Sequence, residues 1–265
     1  MNYLIVIEYC GANYNGWQVQ NKSSKNHECF EEGNKTVENE LLKAIRIITK
    51  SDVKLSVSGR TDAGVHALNQ VANFRLPFYY DLNMLKISLN GVLPRDICVK
   101  NIETVHDSFH ATYDTISKTY LYKINSGLRS PLLSGMSWFI KEDLNIGLIN
   151  KSASIFLGRN NFFNFAKREK GKKITNYYKI ISDIKICAVD YGFDIFVEGE
   201  GFLRHMVRRI VGAIVTCGAG KIGVNSIKEM LDGKNSASGF PCAPPYGLFL
   251  YSVKYKHKVY ETLPT

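Results

Sequence analysis

Apolar and polar positions along this chain fall into one series of elements that is written twice. Tyr3 to Tyr9 is a largely apolar run and predicts a strand. Thr36 then caps a helix whose Val37, Leu41, Ala44, Ile45 and Ile48 share one face. Lys54 to Ser58 alternates apolar and polar residues, and so does Val71 to Leu76, the pattern of two hairpin strands. Leu82, Leu85 and Leu89 mark a second helix, stopped by Gly91 and Pro94, and Ile97 to Val105 closes the series as a strand.

The second half opens on the strand Lys118 to Ile124. A helix from about Asn145 to Leu157 follows, facing inward through Ile149, Ala153 and Phe156. Ile180 to Cys187 and Phe193 to Glu198 predict a hairpin about Asp190, Tyr191 and Gly192. A long helix runs from about Leu203 to Cys217 and is ended by Gly218 and Gly220. A short helix, Asn225 to Asp232, and a strand, Leu248 to Tyr255, complete the series, with an inserted segment around Met136 to Ile140. Each half therefore reads β-α-β-β-α-β, the order of a ferredoxin-like unit. The expected fold is α+β: two ferredoxin-like lobes, residues 1–108 and 109–265, with antiparallel sheets joined side by side and a central cleft. Units of this kind commonly hold ligands at their seam.

The two halves differ most at their hairpins. The second turns on three residues, whereas the first spends Gly59-Arg60-Thr61-Asp62-Ala63-Gly64-Val65-His66-Ala67 on the same task. A plain hairpin needs two to five connecting residues. This one carries two glycines that permit unusual backbone angles and an Arg whose planar fork suits phosphate or carboxylate. It also holds a Thr able to bond its own loop, an Asp and a His. Loops set on rigid strands are where catalytic groups concentrate. A charged surface turn with an Arg-Asp pair explains the same residues more plainly.

Composition narrows the function classes. The chain has 265 residues, 45% of them hydrophobic, with 34 Lys and Arg against 24 Asp and Glu, a net charge of +10. Such an excess suits a polyanionic partner, because phosphate neutralisation dominates nucleic-acid affinity; a Lys-rich compositional bias produces the same number. No apolar run approaches the ~20 residues that span a bilayer. The first nine residues lack a basic leader and a small-residue cleavage site, and so read as a strand rather than a targeting peptide. Six cysteines lie far apart, without a CxxC or a histidine spaced for zinc. They predict free thiols in a cytoplasmic protein and no metal site.

Three further segments carry candidate chemistry. In Phe202 to Arg209, Arg204 and Arg208 stand four apart and would share a helix face, offering either a partner for a carboxylate or a basic surface for phosphates. Tyr120 and Tyr122 lie on one face of their strand, where one can stack on a base and the other pack in the core. Asn21 to Lys35 is polar and predicts a flexible loop. Glu169 to Thr175, with Lys170, Lys172 and Lys173, reads as a basic loop, either a solvated turn or an RNA contact.

The nonapeptide GRTDAGVHA, followed by Gln70 to Phe74, closely resembles the active-site signature of the TruA family of tRNA pseudouridine synthases, in its bacterial form. Gly201-Phe202-Leu203 with Met206-Val207-Arg208 and Val211-Gly212 resembles that family's second motif. Lys118-Thr119-Tyr120-Leu121-Tyr122 resembles its K-x-Y-x-Y motif, Ala243 to Leu248 its C-terminal motif, and Tyr14, Gly16, Trp17 and Gln18 its first. The resemblance implies that Asp62 is the catalytic residue, that Arg208 keeps it ionised, and that Tyr120 stacks on the target uracil. It implies Leu248 as an apolar wall, and Arg60, Gln18, His66, Arg204 and Arg209 as substrate-binding candidates. Three positions depart from the family: Cys10 replaces a frequent Asp, while Thr112 and Tyr178 replace usual arginines, which bears on where the RNA is held.

The implied activity is isomerisation of uridine to pseudouridine in the anticodon stem-loop of tRNA, at positions 38–40, by a cytoplasmic homodimer that needs no cofactor. The lack of a dinucleotide fingerprint, P-loop or metal spacing agrees with that chemistry. A uridine isomerase with another RNA target, or a non-catalytic RNA-binding module, fits the same basic chain.

Overall fold

The computed structural model describes residues 1–18, 35–167, 176–234 and 239–256. Nearly all of the predicted loop at Asn21 to Lys35 and the whole of that at Glu169 to Thr175 lie outside these residues. In chain order the elements are β1 (Asn2–Tyr9), α1 (Val37–Thr49), β2 (Ser56–Val57), β3 (His66–Arg75), α2 (Leu82–Val92) and β4 (Ile97–Val105), then β5 (Thr115–Ser126), β6 (Trp138–Ile140), α3 (Ile146–Ser154), β7 (Gly158–Asn161), β8 (Tyr178–Val189), β9 (Gly192–Gly199), α4 (Met206–Gly218), α5 (Val224–Leu231) and β10 (Leu248–Tyr255). The fold is α+β. It divides into two compact units, residues 1–116 with the segment from Leu250 onward, and residues 117–249.

In the first unit the strand order is β4-β1-β3-β10, with β2 also paired to β3. The β1–β3, β1–β4 and β2–β3 pairs are antiparallel. Tyr3 to Ile7 are all fully buried, so β1 is covered on both faces. Thr36 caps α1 through its side chain, which accepts from Asn39 N, and Val37, Leu41, Ala44 and Ile45 are buried as the periodicity predicts. Asp81 caps α2 in the same way.

The sequence reading ends the first lobe at residue 108 and gives 109–265 to the second. In the structure, residues 109–111 are tied into the first unit. Asn2 Nδ2 donates to the carbonyls of His106 and Phe109, and Asn73 Oδ1 accepts from Ala111 N at 2.9 Å. Asn73 Nδ2 closes the cluster on Asn2 Oδ1 at 2.9 Å. The chain from Leu250 returns to this unit as well: Asn69 Nδ2 donates to Tyr251 O, Tyr255 Oη donates to Ala111 O, and the Tyr255 ring packs on Phe109. Buried asparagines that bond backbone far along the chain leave no trace in hydrophobic periodicity.

In the second unit the order is β5-β9-β8-β7, with β6 pairing in parallel with β5. β7, an unpredicted strand, lies antiparallel on β8. The predicted three-residue turn shortens to Asp190 and Tyr191, because Gly192 already pairs with Val189. Helix α4 is buried along almost its whole length, and α3 packs on it; Asn145 N donates to Gly218 O, and a side chain at Gly218 would meet Ile149 Cγ1 at 2.5 Å. Phe156, Phe162 and Phe165 form an aromatic cluster with ring centroids 5.1–6.4 Å apart.

Candidate active site

The Asp62 loop is held from three sides within the first unit. β3 begins inside the signature, at His66, leaving residues 58–65 as the loop. At its start, Gln70 Nε2 donates to Gly59 O at 2.9 Å and Ser58 Oγ donates to Gln70 Oε1 at 2.7 Å, both on fully buried side chains. At its centre, Thr61 Oγ1 lies 2.7 Å from Tyr9 Oη, and Thr61 O accepts from Trp17 N at 3.1 Å. At its end, Asp62 O accepts from Val65 N, and Tyr14 O accepts from Gly64 N. Gly64 has φ +76°, a conformation in which a Cβ is strained. Gly59 is not among the positive-φ residues; its role is the carbonyl that Gln70 binds.

The segment after β1 is the second wall of this arrangement. Gly16 has φ +90°, and a Cβ there would stand 2.6 Å from Thr61 O. The N-terminus of α1 continues the stitching: Val37 N donates to Gly16 O, and Glu38 N donates to Trp17 O. Burial raises the pKa of the Glu38 carboxyl, opposed by the charge of Arg60 and by a hydrogen bond with the Gln18 side chain. Glu38 thus feels the charge of Arg60 as well as the Gln18 side chain, which sequence spacing did not reveal. Arg60 is exposed, Asp62 and Gln18 are half-buried, and the loop presents them over a buried frame.

His66 is placed differently from its role as a substrate-binding candidate. It is 1% exposed, and its Nδ1 accepts from Gly11 N at 3.1 Å, so the imidazole braces the loop against the end of β1. Tyr9 does the same from the strand itself. Burial pushes its hydroxyl up to about 12, against the bonds to Thr61 and Gln70. Tyr9→Phe leaves Thr61 Oγ1 without this partner and is expected to destabilise the protein by about 1–3 kcal/mol, read as a lower denaturant midpoint.

In the second unit, Tyr120 and Tyr122 face the same way from β5. Tyr120 is 8% exposed, opposite Val197, with the Phe202 ring set edge-on at 5.1 Å. Tyr122 is fully buried and donates to Pro244 O at 2.8 Å; a Cβ at Gly247 would meet its ring at 2.7 Å. Tyr122 is therefore the core member of the pair. Leu248 is 5% exposed at the start of β10.

Arg208 lies in the first turns of α4, with Nε donating to Ala243 O at 2.7 Å and its carbonyl accepting from Ala243 N at 3.1 Å. The expectation that Arg204 shares its helix face is corrected. His205 has φ 61°, outside α-helical geometry, so α4 starts at Met206 and Arg204 lies in the preceding turn. Arg204 O accepts from Lys167 N there, and Arg209 Nη1 donates to Asn164 O at 3.2 Å.

The profile of the family described as tRNA pseudouridine synthase matches residues 5–114 and 153–256, spanning the Asp62 loop, the segment around Arg208 and the C-terminal motif. The chain belongs to the tRNA pseudouridine synthase family. It is 37% identical over 255 residues to tRNA pseudouridine synthase A of Thermoanaerobacter sp. (strain X514), covering 96% of this chain and 99% of that one. It is 35% identical over 259 residues to tRNA pseudouridine synthase A 1 of Protochlamydia amoebophila, covering 97% of each. It is also 34% identical over 256 residues to tRNA pseudouridine synthase A of Staphylococcus aureus (strain Newman), covering 96% of this chain and 90% of that one.

In this pseudouridine synthase the three positions expected to depart from the family, Cys10, Thr112 and Tyr178, are exposed or half-buried. Cys10 N donates to Asp96 O. Thr112 Oγ1 donates to Val57 O at 2.7 Å and so ties its turn to β2. Tyr178, 48% exposed, carries the Arg159 guanidinium 4.7 Å over its ring. Among the described residues no group of His, Cys, Asp and Glu is arranged to hold a metal, and no helix is long and apolar enough to cross a membrane.

Proposed function

We propose that this pseudouridine synthase isomerises uridine in the anticodon stem-loop of tRNA, at positions 38–40, with Asp62 as its catalytic carboxylate. The observation that carries the reading is the signature loop itself. It is long for a hairpin, fixed at Gly59, Thr61, Gly64 and Val65 by buried or backbone partners, and it leaves Asp62 half-buried beside an exposed Arg60. Such rigidity is what holding one reactive group in position requires.

The reaction breaks the bond between N1 of uracil and the ribose, turns the base, and joins its carbon 5 to the same sugar carbon. The proton lost from carbon 5 balances the one gained at N1, so no redox carrier enters. Asp62 supplies the anionic oxygen that acts on the sugar or the base. Arg208 supplies the guanidinium of the site. Tyr120 is the ring on which the extruded base stacks, and Leu248 is the apolar wall beside it. Arg60, Gln18, Arg204 and Arg209 contact the RNA, which a homodimer binds in the cytoplasm.

Tritium release from tRNA transcripts carrying 5-tritiated uridine tests the activity, and mapping of the product tests the site. Release with pseudouridine at positions 38–40 is the expected result. Pseudouridine only elsewhere overturns the anticodon assignment, and absence of release from correctly folded protein overturns the isomerase.

A further inference from the structure

Lys118 lies in β5 two residues before Tyr120, so the two side chains leave the same face of the sheet. Directly opposite it on β9 is Gly199, which in turn faces Ile181 of β8. Lys179 stands two residues before Ile181 and therefore also leaves that face. Gly199 places no side chain between the lysines. A Cβ there would meet Ile180 O at 2.7 Å, Ile181 Cδ1 at 3.1 Å and Phe202 Cζ at 3.2 Å, so backbone and apolar groups leave no room for a side chain. The same Phe202 ring touches Tyr120, which puts Lys118 at the edge of the stacking surface.

Glu198 is opposite Thr119 and hence on the other face, where it accepts from Ser117 Oγ at 2.9 Å. Among the described residues neither Lys118 nor Lys179 forms an ion pair. Burial, and secondly the charge of Lys179, lower the Lys118 ammonium to about 8. Two half-buried cations that leave one face of the sheet suit an anionic ligand.

We propose that Lys118 and Lys179 form a phosphate-binding pair that takes the backbone phosphate next to the nucleoside stacked on Tyr120. The assignment rests on the stacking role given to Tyr120 above. A phosphodiester spreads one negative charge over two non-bridging oxygens, so each ammonium can take one of them, and it would fix the strand in register with the ring.

The test compares wild type, K118Q, K179Q and K118R for tRNA affinity across a salt series and for tritium release. Each glutamine variant is expected to lower the slope of log affinity against log salt, by at most the ~0.7–0.9 that belongs to the one phosphate the pair shares. KM should rise several-fold while the single-turnover rate at saturating tRNA stays within about twofold, the pattern of lost uniform binding. K118R keeps the slope. Unchanged slopes in both glutamine variants overturn the pair, and K179Q, at a half-buried position, decides the question if K118Q fails to fold. Wild-type protein that binds tRNA but releases no tritium overturns instead the stacking role on which the pair depends.

Discussion

Asp62→Asn is expected to abolish tritium release, by about three orders of magnitude or more in single turnover, while tRNA binding stays within about threefold. Asparagine keeps the shape of the side chain and removes the carboxylate oxygen to which the proposed reaction assigns the chemistry. The loop should survive the change, since its ties at Gly59, Thr61, Gly64 and Val65 run through other groups. A purely architectural Asp62 would give the opposite split, with altered stability and little change in rate. Release by the variant at the wild-type rate would move the chemistry to another residue.

Gly212→Ala carries the other large effect, with a sign that helix propensity alone gets wrong. Inside a helix, alanine is ordinarily favoured over glycine by roughly 0.5–1 kcal/mol. In α4, however, a Cβ on Gly212 would stand 1.9 Å from Pro241 O, a backbone atom that no side-chain rotation moves. The 241–244 segment must shift, and that segment holds Arg208 through both Ala243 N and Ala243 O. We expect destabilisation of about 1–3 kcal/mol or more together with a clear fall in turnover measured well below the melting temperature. A variant as stable as wild type would show that the helix and the segment separate without cost.

Much of this molecule was legible in its pattern of residues. The cap at Thr36, the buried stripe of α1, and the ends of β4 and β10 follow from periodicity and local polar chemistry that the folded chain keeps. What escaped is non-local. The bonds of Asn2 and Asn73 to the 106–111 segment join positions far apart in sequence, and the edge pairing of β7 with β8 has no alternation of its own. The start of α4 escaped for a local reason: a histidine in left-handed geometry breaks a run whose composition is helical throughout. For the candidate site, the signature pointed to the loop, Tyr120 and Arg208. It did not show that His66 is buried, that Glu38 feels the charge of Arg60, or that Lys118 and Lys179 share a face.

The Tyr9 phenol has a consequence for behaviour in alkali. Its hydroxyl keeps its proton up to about 12 in the folded chain, against an ordinary value of 10.0. Well below that ordinary value both folded and unfolded chains hold the proton, so this anchor is insensitive to pH there. Above it, the unfolded chain deprotonates first and gains relative to the native state, so stability falls as pH climbs from 10.0 to about 12. Base-induced melting should therefore begin in that range, and the Tyr9→Phe variant should lose part of that slope.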